Sequence, residues 1–329
     1  MKKFYILTSL VLVTFFLCGC CIKKESNQKT KICPDDKFVI CQFNMRYGLE
    51  NDGKVLQRKD KKRGINKTLY DGSQTWEKRV PLIQAFLEFN DVDICGTQEL
   101  SWFQVEDFDK MKPEYDYFGT PTYPEKYAKK IPCANNIIVY RTSRFELLQK
   151  GDFWLSETPN KVSNGFGADK PRNCNWGKFK DKKTRKEFYF FNTHIHHIGD
   201  ETKAKSAKLI IQKIKEIAGN TPFFDVGDFN MAEDHYGMKA FWDCDFMVDA
   251  RKVCKTKLYG PTFTNNFGYT GLSTIYYPTT SKDSSPMRWI DWVFVSKSVD
   301  VYKYAVMSEC IDGVWLSDHF PLLLKVSIK

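Results

Sequence analysis

Apolar runs of strand length recur along this 329-residue chain, and each one begins or ends in polar residues of the same chemical kind. Phe38 to Phe43 delivers Asn44 within Phe43-Asn44-Met45-Arg46, and Val92 to Gly96 leads into Thr97-Gln98-Glu99-Leu100. Glu187 to Thr193 ends at His194, and Pro222 to Val226 leads into Gly227-Asp228-Phe229-Asn230. Ile290 to Val295 sits within Arg288-Trp289-Ile290-Asp291-Trp292 and beyond, and Ser317-Asp318-His319-Phe320-Pro321 opens the run to Val326. Short apolar runs bounded by polar residues read as buried strands, and Asn136 to Tyr140 reads the same way. Two segments between them have helical period. Trp76 to Phe89 places Val80, Ile83 and Leu87 near one face, and Thr202 to Ala218 places Ala207, Ile210, Ile211, Ile214 and Ile217 on another. Strands alternating with helices predict an α/β fold.

Carboxylates, side-chain amides and imidazoles delivered by strand ends are the groups of hard-cation and phosphate chemistry. A phosphodiester resists hydrolysis because its charge repels nucleophiles and its leaving alkoxide is poor. A catalyst must neutralise phosphoryl oxygens, activate a water and stabilise the leaving oxygen. Magnesium suits the first and third tasks and takes few protein oxygens; manganese is the alternative ion. Glu99 is the candidate carboxylate ligand, with Asn44 supplying an amide oxygen and Asp318 completing the shell directly or through water. His319 is the candidate general base or phosphate contact, because imidazole changes charge near neutral pH, and Asp291 is its candidate orienter. Asn230, two residues after Asp228, points the same way if the segment is extended, although Gly-Asp and Asn also favour turns.

The ordered set of clusters, from about Phe38 to the C-terminus, resembles the endonuclease/exonuclease/phosphatase superfamily. Its members cleave phosphate esters in nucleic acids, phosphoinositides and sphingomyelin. The run Phe43 to Gly48, with Trp76-Glu77-Lys78-Arg79 and Phe153-Trp154-Leu155-Ser156, looks like a bacterial lipoprotein branch. The resemblance implies a four-layer sandwich: two mixed β-sheets face to face, flanked by helices, with ligands at the edge where strand ends and loops meet. It implies a His319–Asp291 pair, or a variant in which Asp228 takes the proton of water while protonated His319 clamps a phosphoryl oxygen. It also implies that His194 contacts phosphate and helps protonate the leaving oxygen, that His197 lies on the phosphate side, and that Arg172 reaches substrate phosphate. The chain departs from the branch at two places. His196 stands where aspartate is usual, and Lys203 replaces an arginine, which keeps charge but loses bidentate geometry. The first departure raises a zinc site on His194, His196 and His197 as an alternative. Together they raise a catalytically inactive protein of the same fold that binds phosphorylated ligands.

The N-terminus reads as a targeting segment. Lys2 and Lys3 precede an apolar stretch, Phe4 to Leu17, that falls short of the ~20 residues of a membrane span. Leu17-Cys18-Gly19-Cys20 resembles a lipoprotein processing box. The expected organisation is therefore a signal peptide over residues 1–19, lipidated Cys20 with a polar tether to 36, and one domain over 37–329. The expected protein is a monomer, lipid-anchored to a bacterial membrane outside the cytoplasm. A formal charge of +10 suits an anionic substrate: nucleic acid or nucleotide, phospholipid head group, or sugar phosphate. The dense interleaving of aromatic and basic residues that marks a nucleic-acid groove is absent from the sequence. Lysine-rich Glu50 to Ser73 is expected to be a solvated loop. Cys41 and Cys95 fall in strand patterns as small buried hydrophobes, whereas Cys33, Cys133, Cys174, Cys244, Cys254 and Cys310 are candidates for disulfides.

Overall fold

Successive side chains on a strand face opposite ways, and in this protein both faces of the central strands are buried. A computed structural model describes residues 36–48, 55–60, 65–70, 75–131, 134–259, 264–266 and 287–329. Its principal strands are β1 (Phe38–Asn44), β2 (Ile94–Gln98), β3 (Tyr115–Phe118), β4 (Ile138–Arg141), β5 (Phe145–Trp154), β6 (Asn173–Asp181), β7 (Glu187–His194), β8 (Phe223–Asp228), β9 (Met247–Asp249), β10 (Thr256–Tyr259), β11 (Asp291–Ser296), β12 (Val299–Val306) and β13 (Leu322–Ile328). Seven form one sheet in the order β10-β12-β13-β1-β2-β4-β3, and six form the other in the order β9-β11-β8-β7-β6-β5. Both sheets are mixed. β1 runs parallel to β2 and antiparallel to β13, as β8 runs parallel to β7 and antiparallel to β11.

One face of each sheet meets the other sheet. Phe38 and Ile40 of β1, with Ile94 of β2, pack against Phe188, Phe190, Phe224, Val226 and Val293 of the second sheet. The opposite faces carry the helices. α1 (Trp76–Phe89) sets Ile83, Phe86 and Leu87 against Cys41, Phe43 and Cys95, and α2 (Asp200–Ala218) sets Ala207, Ile210 and Ile214 against Tyr189, Phe191 and Phe223. Helix, sheet, sheet and helix make the four-layer sandwich that the resemblance implied. α2 begins two residues before its apolar period does, with Asp200 and Glu201 in its first turn, where acidic side chains complement the helix dipole.

Two expectations are corrected. Within the lysine-rich segment, Val55–Asp60 and Ile65–Tyr70 pair as an antiparallel hairpin instead of forming a loop; backbone ladder bonds need no apolar face. Cys174, Cys244, Cys254 and Cys310 are free thiols. Cys174 points from β6 into the layer beneath α2, where it behaves as the small hydrophobe expected of Cys41 and Cys95, both of which are buried. Cys20, Cys33 and Cys133 lie outside the described residues.

Candidate active site

The inter-sheet faces of the central strands turn from apolar to polar at one end. On β1 the inward sequence is Phe38, Ile40, Gln42, Asn44; on β7 it is Phe188, Phe190, Asn192, His194; on β8 it is Phe224, Val226, Asp228. Strand register then brings these ends level. Asp228 pairs with His194 on one side and with Asp291 on the other, and Asn44 pairs with Gln98. Beneath the site lies a layer of buried amides. Gln42 and Gln98 exchange hydrogen bonds of 2.7 and 2.8 Å, and Gln98 also donates to Asn192 Oδ1 at 2.6 Å. Asn192 donates in turn to the carbonyls of Thr97 and Ile137. A buried amide is tolerated only when paired, so this layer ties the two sheets together directly under the polar groups.

Past the strand ends the chain turns sharply. Arg46, Glu99 and Asn230 have φ of 55°, 66° and 51°, a left-handed conformation that costs a non-glycine residue about 1 kcal/mol or more. Asn230 is therefore not on an extended segment; its backbone N–H donates to Asp228 Oδ1 at 2.9 Å and its side chain to the carbonyl of Ile195. Fully buried Arg79 of α1 holds two of the site loops, donating to the carbonyls of Met45 (2.7 Å), Leu316 (3.0 Å) and Arg46 (3.3 Å).

His319 Nδ1 donates to Asp291 Oδ2 at 2.8 Å, and Gln42 donates to the other oxygen of Asp291 at 3.0 Å. Burial alone would depress the His319 pKa. Ion pairing and hydrogen bonding with Asp291, together with the charges of Asp228 and Asp318, raise it to about 10. His319 Nε2 stands 3.8 Å from Asp228 Oδ2, which accepts from Asn44 Nδ2 at 3.0 Å. The Asp228 carboxyl is pushed up to about 7, chiefly by burial; His319 pulls it down, while Asp291 and Glu99 push it further up. Burial, followed by the charge of Asp318, also raises Glu99. Asp318 itself is lowered, because His319 and Arg46 outweigh its burial; Arg46 donates to it at 2.9 Å. His194 is held well below its usual value by burial and then by Arg172 and His319. Arg172 donates to its Nδ1 at 3.0 Å, so the imidazole proton sits on Nε2. That atom is buried without a hydrogen-bond partner, 3.5 Å from Asp228 and 3.8 Å from Glu99.

All ten site residues singled out in the sequence that lie in the described part come together. Glu99, Arg172, His194, His197, Asp228, Asn230, Asp318 and His319 line a cavity of about 260 Å³, with Asn44 and Asp291 bonded to its lining residues. Arg46, Tyr47 and Lys170 also line it and were not assigned there from sequence, nor was a bracing role given to Arg79. Arg46, Tyr47 and Arg79 were visible as members of motifs without a role of their own, and Lys170 only as part of a surplus of positive charge that is too common to single it out. The three neighbouring histidines do not converge as zinc ligands. His196 Nε2 is bonded to Asp169 at 2.7 Å, and His194 Nδ1 is occupied by Arg172. His197 lies on the rim, its pKa drawn down to about 4 by burial and then by His196 and Arg172. Lys203 is buried on α2 and pairs with Asp200 at 3.6 Å.

The model of a family described as the endonuclease/exonuclease/phosphatase family matches residues 41–319. Among solved structures, an endonuclease/exonuclease/phosphatase family protein from Bacteroides thetaiotaomicron is 32% identical, with 89% of this chain and 98% of that one covered and a TM-score of 0.71. A mannosyl-6-phosphatase from the same organism is 32% identical, with 88% and 100% covered and a TM-score of 0.70. TDP2 of D. rerio, complexed with a single-strand DNA product, shares the fold at 15% identity, with 89% and 100% covered and a TM-score of 0.61. A search of curated proteins returns no match.

Proposed function

The chain belongs to the endonuclease/exonuclease/phosphatase family of phosphoric-ester hydrolases, and from that premise we propose that it is a divalent-metal-dependent phosphoesterase displayed outside the cytoplasm on a lipid anchor at Cys20. The observation that carries the catalytic part is the convergence of Glu99, Asp228, neutral His194 and the His319–Asp291 pair on one cavity. The anchor rests on the N-terminal sequence.

The donor set fits a hard cation. Burial and then the charge of Asp318 make the Glu99 carboxyl hard to ionise, and the Asn44 amide bonds to it; a cation relieves that penalty. In this reading Glu99, Asn44 and Asp318 hold the ion. Bound Mg²⁺ or Mn²⁺ supplies charge neutralisation at phosphoryl and leaving oxygens. The remaining roles follow from protonation. His319, held cationic by Asp291, offers Nε2–H to a phosphoryl oxygen and has no lone pair with which to act as base. Asp228, with a pKa near the operating pH, is suited to take the proton of the attacking water. Asn44 and the Asn230 amide fix its carboxylate through one bond to each oxygen. Of the two assignments that the sequence left open, the electrostatics favour Asp228 as base. Neutral His194 presents Nε2–H as a hydrogen-bond donor to an oxygen of the substrate.

Substrate classes to assay are sugar phosphates, the class named for one relative, then nucleic acid or nucleotides, and phospholipid head groups. Glu99→Gln removes charge without volume. It is expected to lose most magnesium- or manganese-stimulated turnover in such a panel while its circular dichroism stays unchanged. Unaltered turnover at saturating metal would take Glu99 out of the site, and full wild-type activity in chelator would end the metal-dependent reading.

A further inference from the structure

The loop from Gly165 to Arg172 reverses direction through two left-handed residues, Phe166 (φ 55°) and Gly167 (φ 83°). It is fastened on both sides of that turn. Thr202 Oγ1 donates to the carbonyl of Phe166 at 2.7 Å, and His196 Nε2 bonds Asp169 Oδ1 at 2.7 Å. A carboxylate only accepts, so Nε2 carries the proton of His196, whose Nδ1 faces the backbone of Ile198 at 3.0 Å. His196 is buried while Asp169 is exposed, so a fixed ring holds the loop next to Lys170, in addition to the bonds from Phe166 N–H to the Glu157 carboxylate and from Leu155 N–H to the carbonyl of Arg172. The histidine that replaces the usual aspartate of the branch thus has a definite partner.

Beyond the latch come Lys170 and Arg172, both facing the catalytic cavity. Among the described residues Lys170 has no carboxylate partner. Arg172 spends one nitrogen on His194, and its Nε is buried without a hydrogen-bond partner. Arg46, by contrast, is paired with Asp318. Two further cations therefore line the cavity, one of them with a buried donor unused.

We propose that Lys170 and Arg172 form a cationic arm, latched by His196 and Asp169, that receives the terminal phosphoryl group of a phosphate monoester. The inference rests on the phosphoesterase reading above and names its substrate class. A monoester phosphoryl group carries between one and two negative charges at neutral pH and three non-bridging oxygens. A diester carries one charge and two such oxygens. His319 and a cation held by the acidic wall would serve the other oxygens, leaving one to meet the guanidinium and ammonium of the arm in charge-assisted bonds. Esterifying that oxygen removes both the charge and the acceptor, so the arm discriminates by what a diester lacks.

The test compares p-nitrophenyl phosphate with bis-p-nitrophenyl phosphate at saturating magnesium, using wild type, Lys170→Ala and Asp169→Ala. Calorimetric titration with inorganic phosphate gives a readout independent of turnover. Lys170→Ala is expected to lower the monoester-to-diester ratio of kcat/KM about tenfold, the scale of one hydrogen bond to a charged group, mainly through KM, and to weaken phosphate binding similarly. Asp169→Ala, which removes the acceptor of the His196 bond, separates a latch from simple electrostatics. Removing a negative charge beside Lys170 would by itself tighten phosphate, whereas releasing the latch loosens it and lowers the same ratio. Equal losses on both esters, tighter phosphate in Asp169→Ala, or phosphate binding unchanged in Lys170→Ala overturns the proposal. A wild-type protein that hydrolyses neither ester but binds phosphate through Lys170 would sink the catalytic reading and leave the arm standing.

Discussion

Two carboxyls three residues apart on β8 have opposite surroundings. Asp228 faces the site and accepts bonds from Asn44 and Asn230, whereas Asp225 faces the layer beneath α2, where Thr193 Oγ1 donates to it at 3.3 Å and its Oδ2 has no hydrogen-bond partner. Burial lifts the Asp225 pKa well above its ordinary value, against the weaker pull of Thr193, so the group is a neutral acid in the folded state over a wide range of pH. Its folded pKa exceeds the unfolded one. Its contribution to stability is therefore complete below the unfolded value of about 3.9 and is lost as pH rises through the folded pKa. Asp225→Asn removes that titration and keeps the shape. The variant is expected to gain on wild type as pH rises above about 4, by about 1.4 kcal/mol for each pH unit separating the two pKa values. Urea unfolding between pH 4 and 8 measures this, and a difference that stays flat with pH would mean that Asp225 ionises freely in the fold.

Between the sheets, β2 comes close to β7 and β8 at Gly96. A Cβ there would stand 2.4 Å from Val226 Cγ2 and 2.9 Å from Asn192 Oδ1. Gly96→Ala must therefore push β2 away from β7 and β8, straining the Gln98–Asn192 bond and displacing Glu99. Overpacking of this kind typically costs about 1–3 kcal/mol. The variant is expected to unfold at lower denaturant and to lose turnover beyond what its folded fraction explains; wild-type turnover per folded molecule would show that Glu99 does not depend on that approach. Gly96 also marks a limit of the sequence. β1, β2, β7, β8 and β11 were legible because both their faces are buried and their residues are almost continuously apolar, and the polar ends followed from them. β5, with Glu146, Gln149, Lys150 and Asp152, is half exposed at the edge of its sheet and gave no apolar run to read. The amide layer escaped for a related reason. Gln42, Gln98 and Asn192 look like interruptions of strands until the facing sheet shows that they bond one another. Arg79 was visible only as part of a motif, since three carbonyls distant in sequence give an arginine its bracing role.

At the scale of the whole molecule, charge and the proposed attachment would act on the same substrate encounter. The proposed removal of residues 1–19 would take away Lys2 and Lys3 and lower the formal charge from +10 to +8, leaving the remaining chain basic. A basic protein tethered at a surface meets phosphorylated ligands at a rate raised by its field and screened within about 8–10 Å at physiological salt. The proposed tether begins at Cys20, and its adjoining cysteine supplies the control. Lipoprotein processing leaves one cysteine at the new N-terminus, where two or more acyl chains give stable anchoring that a single chain does not. Cys20→Ser is therefore expected to block palmitate incorporation and to move the protein from the detergent phase to the aqueous phase, whereas Cys21→Ser should label and partition as wild type. The kcat/KM of the soluble Cys20→Ser protein on a water-soluble ester should match the detergent-extracted wild type, because Cys20 lies outside the matched residues 41–319. A Cys20→Ser protein that still takes up palmitate and stays with the membrane would remove the lipoprotein reading, and with it the case for an enzyme working at a bilayer.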